Sequence, residues 1–265
     1  MPRKKLATIV VTGALAVSLA VGGATYAIFT DSATNAGNTF TAGTINMDGH
    51  RQDIPIEGPM FYTQDNDSGR MGTGFWAPKD IHTRGIFFEN KGSLTAKLSK
   101  ISATASVETP PEFTSQAVVT IAALRRQGGG EMDATAIKNL NEALDQAFKA
   151  GLSSRWSWIR NGARLAQEQE AVAREFALNK TFVVKNVFGF DVSVFVEDIY
   201  TDELKDLVSS GGVDVKSKNI QVSPRHTLYM GYTVTLPDLG IANNPIMGKS
   251  VNIDFTNEFQ QARNN

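Results

Sequence analysis

The chain has 265 residues, 42% of them hydrophobic and 20% charged, with a formal charge of −1. That balance supports a sizeable core and excludes a disordered polyelectrolyte, and the lack of a basic field argues against a nucleic-acid partner. Cysteine is absent, which excludes a disulfide framework, a thiol nucleophile and a cysteine-ligated metal.

Pro2-Arg3-Lys4-Lys5 opens the chain, and residues 6–30 carry no charge. Leu6 to Leu19 is apolar and rich in Ala and Val, and Thr25-Tyr26-Ala27 puts small residues where a signal peptidase reads them. The pattern predicts a signal peptide over residues 1–27, cut between Ala27 and Ile28, and a secreted product. The uncharged stretch is also long enough for a membrane span, which needs ~20 apolar residues. The small residues before Ala27 and the polar run after Phe29 favour cleavage over anchoring.

Residues 30–39 are small and polar, and a short strand is expected over Phe40 to Met47. Residues 48–80 are rich in Gly, Pro, Asp and Asn and read as a long loop. Gly85 to Glu89 is a short apolar run. In Leu94 to Val107 the apolar parity switches: Leu94, Ala96 and Leu98 share one phase, and Ile101, Ala103, Ala105 and Val107 the other. One extra residue near Ser99-Lys100 reconciles them, which predicts a β-bulge or two strands. Val118 to Leu124 is a further strand.

The period then becomes helical. Ile137, Leu140, Leu144 and Phe148 recur at spacings of three and four, with Asp133 as N-cap and Gly151 as the residue past the C-terminus. A second helix is expected over 162–178, with Leu165, Val172 and Phe176 on one stripe. Strands resume at Thr181 to Val187 and Phe190 to Glu197. Thr201 is placed to cap a short helix over 202–208, and Val213 to Val222 reads as a strand. Leu228, Met230, Tyr232, Val234 and Leu236 alternate with other residues, as do Val251, Ile253 and Phe255. Such alternation predicts antiparallel strands with one face buried and one wet. The whole predicts a mainly β fold: a jelly-roll-like antiparallel two-sheet sandwich over 40–265, with a helical segment inserted at about 131–178.

Several segments, in this order, resemble the TasA/camelysin family of secreted biofilm-matrix fibre proteins. Gly23-Ala24-Thr25-Tyr26-Ala27-Ile28-Phe29-Thr30-Asp31 looks like its processing site. Thr39-Phe40-Thr41-Ala42-Gly43-Thr44-Ile45-Asn46-Met47 is similar to its Phe-x-Ser/Ala-Gly-Thr-Leu-x-Leu segment, and Phe87-Phe88-Glu89-Asn90-Lys91-Gly92-Ser93-Leu94 to its Phe-x-Asn-x-Gly-Ser-Leu turn. Ala77-Pro78-Lys79-Asp80 stands where the family has Lys-Pro-Gly-Asp. Gly248-Lys249-Ser250-Val251-Asn252-Ile253-Asp254-Phe255 matches the last strand. The loop at 48–76 and the helical insert depart from the pattern.

The resemblance implies a jelly roll, processing by a SipW-type signal peptidase, export to the extracellular matrix or cell surface, and head-to-tail homopolymerisation, with an accessory or anchor matrix protein as a possible partner. It further implies that a freed N-terminal donor strand completes the sheet of the next subunit. That strand is Ile28, Phe29, Thr30, Asp31, Ser32, Ala33, Thr34, Asn35, Ala36, Gly37 and Asn38. The physics is compatible, because a sheet edge carries unpaired backbone groups that an extended segment can satisfy. Burying Ile28 and Phe29 would add roughly 1.5–3 kcal/mol each.

Camelysins also carry a metalloprotease assignment, which makes a secreted metalloprotease the first alternative. The chain has three histidines, His50, His82 and His226, and none forms the His-Glu-x-x-His spacing that places two imidazoles on one zinc. Asp65-Asn66-Asp67-Ser68-Gly69 has calcium-loop spacing, but Phe75 stands where the closing Glu belongs. The Gly128–Gly130 run lacks the Lys-Ser/Thr pair of a P-loop. Trp156 and Trp158 could serve a monomeric adhesin or carbohydrate-binding module, the second alternative, but read first as packing of the insert against the sandwich. No catalytic residue, cofactor or metal ligand is expected.

Overall fold

The computed structural model describes residues 30–33, 44–51, 59–63, 72–128, 130, 132–178, 181–185 and 191–262. The described strands are β1 (Thr30–Ala33), β2 (Met47–Arg51), β3 (Phe61–Tyr62), β4 (Ile81–Asn90), β5 (Ala96–Ala105), β6 (Val118–Arg126), β7 (Thr181–Lys185), β8 (Asp191–Glu203), β9 (Val213–Asp214), β10 (Gln221–Val222), β11 (Thr227–Thr235) and β12 (Asn252–Gln261). The helices are α1 (Pro111–Gln116), α2 (Ala134–Ser153), α3 (Gly162–Leu178) and α4 (Leu204–Ser209). Every strand pairing is antiparallel. The first sheet runs β1-β12-β5-β10, with β3 also on β12 and β9 on β5. The second runs β2-β4-β11-β6-β8-β7. The fold is therefore mainly β, two antiparallel sheets with a helical insertion.

The predicted bulge is present. β5 is one strand, and its register against β12 slips where Lys100 pairs Glu258 but Leu98 pairs Phe259, leaving Ser99 as the extra residue. Ser99 Oγ donates to Glu258 O at 2.9 Å. The slip sends Ala96 and Leu98 into the same core as Ile101 and Ala103. β12 shows the expected alternation, with Ile253, Phe255, Asn257 and Phe259 buried and the residues between them half-exposed.

β11 departs from the expectation. All nine of its residues are buried, so neither face is wet. Leu228, Met230, Tyr232 and Val234 face the first sheet in one core. Tyr229 belongs to a second core with Ile137, Leu140, Leu144 and Phe148 of α2 and Leu165 and Val172 of α3. The insert is thus a third layer over the second sheet, and it removes the water that alternation implied. Thr233 on the covered face is satisfied across the ladder, its Oγ1 lying 2.9 Å from Thr83 Oγ1.

Close approach of α2 needs two glycines, Gly231 and Gly85, which face each other in register. A Cβ at Gly231 would sit 2.5 Å from Leu144 Cδ1, and one at Gly85 would overlap Tyr229 and Asn141. Tyr229 OH donates to Asn141 Oδ1 at 2.6 Å in the space they leave.

Other boundaries move for local reasons. Of the strand expected over Phe40 to Met47, residues 40–43 lie outside the described residues and residues 44–46 precede β2; β2 and β3 interrupt the predicted loop 48–80. Asp133 caps α2 as expected, its Oδ1 accepting from Ala136 N at 2.9 Å. Gly151, read as the residue past the helix, lies inside α2 because a Cβ there would meet Val172 Cγ1 of α3 at 2.6 Å. Thr201 is not a cap: it sits in β8, paired through its hydroxyl with Thr120, and α4 starts at Leu204. The run 213–222 is split into β9 and β10 by a turn of 3-10 helix and Asn219 at φ 54°.

Gly231→Ala should lower stability by about 1–3 kcal/mol through overpacking against α2. Thermal unfolding of the variant measures the loss.

Candidate functional site

The first sheet places the predicted donor segment on β12. β1 pairs antiparallel with it, Thr30 opposite Gln260 and Ala33 opposite Asn257. β5 holds the inner edge of β12, and β3 pairs its outer edge only at Asn252 and Ile253. The outer edge from Asn257 to Gln260 is therefore satisfied by β1. This length is rigid from below: Asn257 is buried and its Oδ1 accepts from Tyr232 OH at 2.7 Å, and Phe259 packs edge-on against Phe88 with ring centroids 5.1 Å apart. Of the donor residues, Thr30, Asp31, Ser32 and Ala33 are described. Ile28, Phe29, Thr34, Asn35, Ala36, Gly37 and Asn38 lie outside the described residues, as does the Ala27–Ile28 cleavage bond. The partner of this segment, more than two hundred residues away, was not identified from sequence; its signal was the regular alternation of β12 with a polar Asn257 on the inner phase.

The three histidines are held apart. His50 is on β2, stacked on Phe87 at 5.0 Å. His82 is near the start of β4, edge-on to Trp76 at 4.7 Å. His226 precedes β11, its Nδ1 donating to Pro224 O at 3.0 Å. Among the described residues, Asp48, His50 and Glu89 offer donor atoms within 4.8 Å of one another. The cation position there is already filled by Lys91, whose Nζ contacts Asp48 Oδ2 and lies 3.6 Å from Glu89 Oε2. His50 Nε2 is also directed at Asp48 Oδ2, 3.0 Å away. One imidazole and two carboxylates neutralised by an ammonium do not suit a catalytic zinc, which takes three protein ligands and leaves an open position. Titration of the purified protein with zinc should show no stoichiometric uptake; uptake abolished by His50→Ala would reverse this reading.

The calcium-like run Asp65–Gly69 lies outside the described residues. Gly128 and Gly130 adopt positive φ, 82° and 101°, as a turn between β6 and α2 requires. Trp156 packs partly against the helix-layer core, as expected. Trp158 does not, and stands exposed.

His82 is half-buried, and its Nε2 is enclosed without a hydrogen-bond partner. Burial is the main cause that lowers its pKa from 6.5; Arg84 and Lys149 push the same way, while Asp80 and Asp145 oppose. Its folded-state pKa lies below the unfolded one. The unfolded chain therefore takes up the proton first, and stability is complete above pH 6.5 and falls as pH drops below it. Denaturant unfolding across that interval should show this slope, reduced in His82→Leu.

Residues 2–56 match the model of the family described as camelysin metallo-endopeptidase. No curated protein is similar enough to the chain to count as a relative. Among the described residues no helix is long and apolar enough to cross a membrane. The family's description implies a metal ion, which the donor group at Asp48, His50 and Glu89 does not suit. The matched stretch spans the predicted leader, the donor segment, β1 and β2, and over it the chain is similar to the camelysins.

Proposed function

We propose that the chain is a secreted structural subunit that assembles into extracellular matrix fibres by exchange of its N-terminal strand. In this reading a SipW-type signal peptidase frees Ile28, and the segment Ile28 to Asn38 leaves its own β12 and takes the same place on the next subunit. The partner is a second copy, with an accessory or anchor subunit at the fibre base. The reading rests on one observation: among the described strands β1 is outermost, joined by a short ladder to β12 between Asn257 and Gln260, where no other described strand pairs that edge. A strand held by one neighbour can exchange with an identical strand at no net loss of hydrogen bonds, and a head-to-tail exchange that does not close gives a filament.

Among the described residues, the cores contain none before Ile45. Protein starting at Ile28 should form fibres in negative-stain electron microscopy, and protein starting at Thr39 should stay a folded monomer. The truncated protein should also bind a synthetic peptide of residues 28–38 in trans. Fibres from the truncated protein would falsify strand exchange.

A further inference from the structure

Among the described residues, five large apolar side chains are exposed: Phe75 (58%), Val107 (103%), Trp158 (64%), Ile241 (85%) and Met247 (49%). Singly such residues are ordinary. Their placement is not, because the topology brings all five to one end of the sandwich. β4 and β6 start there, and β5, β8 and β11 finish there. Phe75 leads into β4, Val107 follows β5, Trp158 lies between α2 and α3, and Ile241 and Met247 lie between β11 and β12. These connections are tied together. Gln116 Nε2 donates to Ala242 O at 2.8 Å, and Gln116 Oε1 accepts from Asn243 at 2.9 Å. Lys79 Nζ meets Asp238 Oδ2 at 3.0 Å, and Ser106 N donates to Asn252 O at 3.0 Å.

The path of the chain says what covers this end. β1 points its C-terminal residue, Ala33, toward it along β12. Yet the next described residue, Thr44, lies at the opposite end, its carbonyl accepting from Ser93 N at 2.9 Å beside the β4–β5 turn. Within one subunit, Ala33 is thus directed away from the end where Thr44 stands. In an exchanged pair the apolar end of one subunit instead faces the Thr44 end of the next. From Ala33 to Thr44 the chain spans at most about 40 Å. About 17 Å of that is spent along β12 from Asn257 to Asn252. The remaining ~23 Å limits how far Thr44 of one subunit can stand from the apolar end of the next.

We infer that the end bearing Phe75, Val107, Trp158, Ile241 and Met247 is the longitudinal contact surface, and that its occupant is the Thr44–Ser93 end of a second copy of this chain. The inference rests on the strand-exchange reading and adds a side-chain interface to it.

The absence of native cysteine makes the test direct. Ile241→Cys, and separately Lys138→Cys on the exposed face of α2, are introduced into protein starting at Ile28, and maleimide labelling is timed in monomers and in fibres. The expected result is protection of residue 241 in fibres by on the order of tenfold or more, as in a dry interface core, with residue 138 unchanged. Equal reactivity of residue 241 in fibres and monomers overturns the inference while leaving strand exchange standing. If protein starting at Ile28 forms no fibres, both readings fall. The triple variant Trp158→Ser, Ile241→Ser, Met247→Ser should still bind the 28–38 peptide, yet need on the order of a hundredfold more protein to polymerise. Loss of peptide binding would instead assign these residues to the acceptor edge and overturn the end-contact assignment.

Discussion

Burial of β11 on both faces is the constraint on which the rest of the structure depends. One face packs on the first sheet and the other on α2 and α3, so a single strand belongs to both cores. A strand in that position cannot offer an unpaired polar group to water. Its ladder to β4 covers all nine residues and its ladder to β6 runs from Leu228 to Thr235, Tyr229 reaches Asn141, and Tyr232 reaches Asn257. The last of these bonds carries the rigidity of β11 across the inter-sheet core to the strand where β1 sits.

The two sheets manage their edges differently. The second sheet is backed by helices and ends in β2 and β7. The first has no helical layer of this kind, and its central pair β12–β5 is flanked by fragments: β1 and β3 on one side, β9 and β10 on the other. Short edge strands are a common defence against uncontrolled pairing. Here the fragment on β12 is also the segment nearest the predicted cleavage bond, so the protection of the edge and the means of removing it lie in one stretch of chain. Among the described residues, the one donor group that includes a histidine has its carboxylates neutralised by Lys91.

Local physics was legible in the sequence and long-range packing was not. The parity switch at Ser99 reports a bulge because one residue of slip inverts every side chain after it. The stripe Ile137–Leu140–Leu144–Phe148 and the Asp133 cap likewise follow from helical geometry within a few turns. Gly151 misled because glycine near a helix end usually terminates it, whereas this one makes room for Val172, a residue from another helix. Thr233 read as part of a wet face because a hydroxyl is as much at home in water as against a threonine across the ladder. The donor was recognisable through resemblance, but its acceptor was not, since nothing near Thr30 refers to Gln260. The exposed residues at the far end were equally silent, because exposure is a property of the assembled connections and not of any one of them.

The antiparallel alignment of β1 with β12 also bears on mechanics. In a fibre joined by this strand, tension along the axis would pull β1 parallel to its own length. The ladder between Thr30–Ala33 and Asn257–Gln260 would then be loaded in shear, with its hydrogen bonds sharing the force and failing together, not in sequence as in a peeled hairpin. Lateral forces meet no such resistance, so a filament of this kind would be hard to stretch yet simple to take apart by drawing single subunits sideways from its ends.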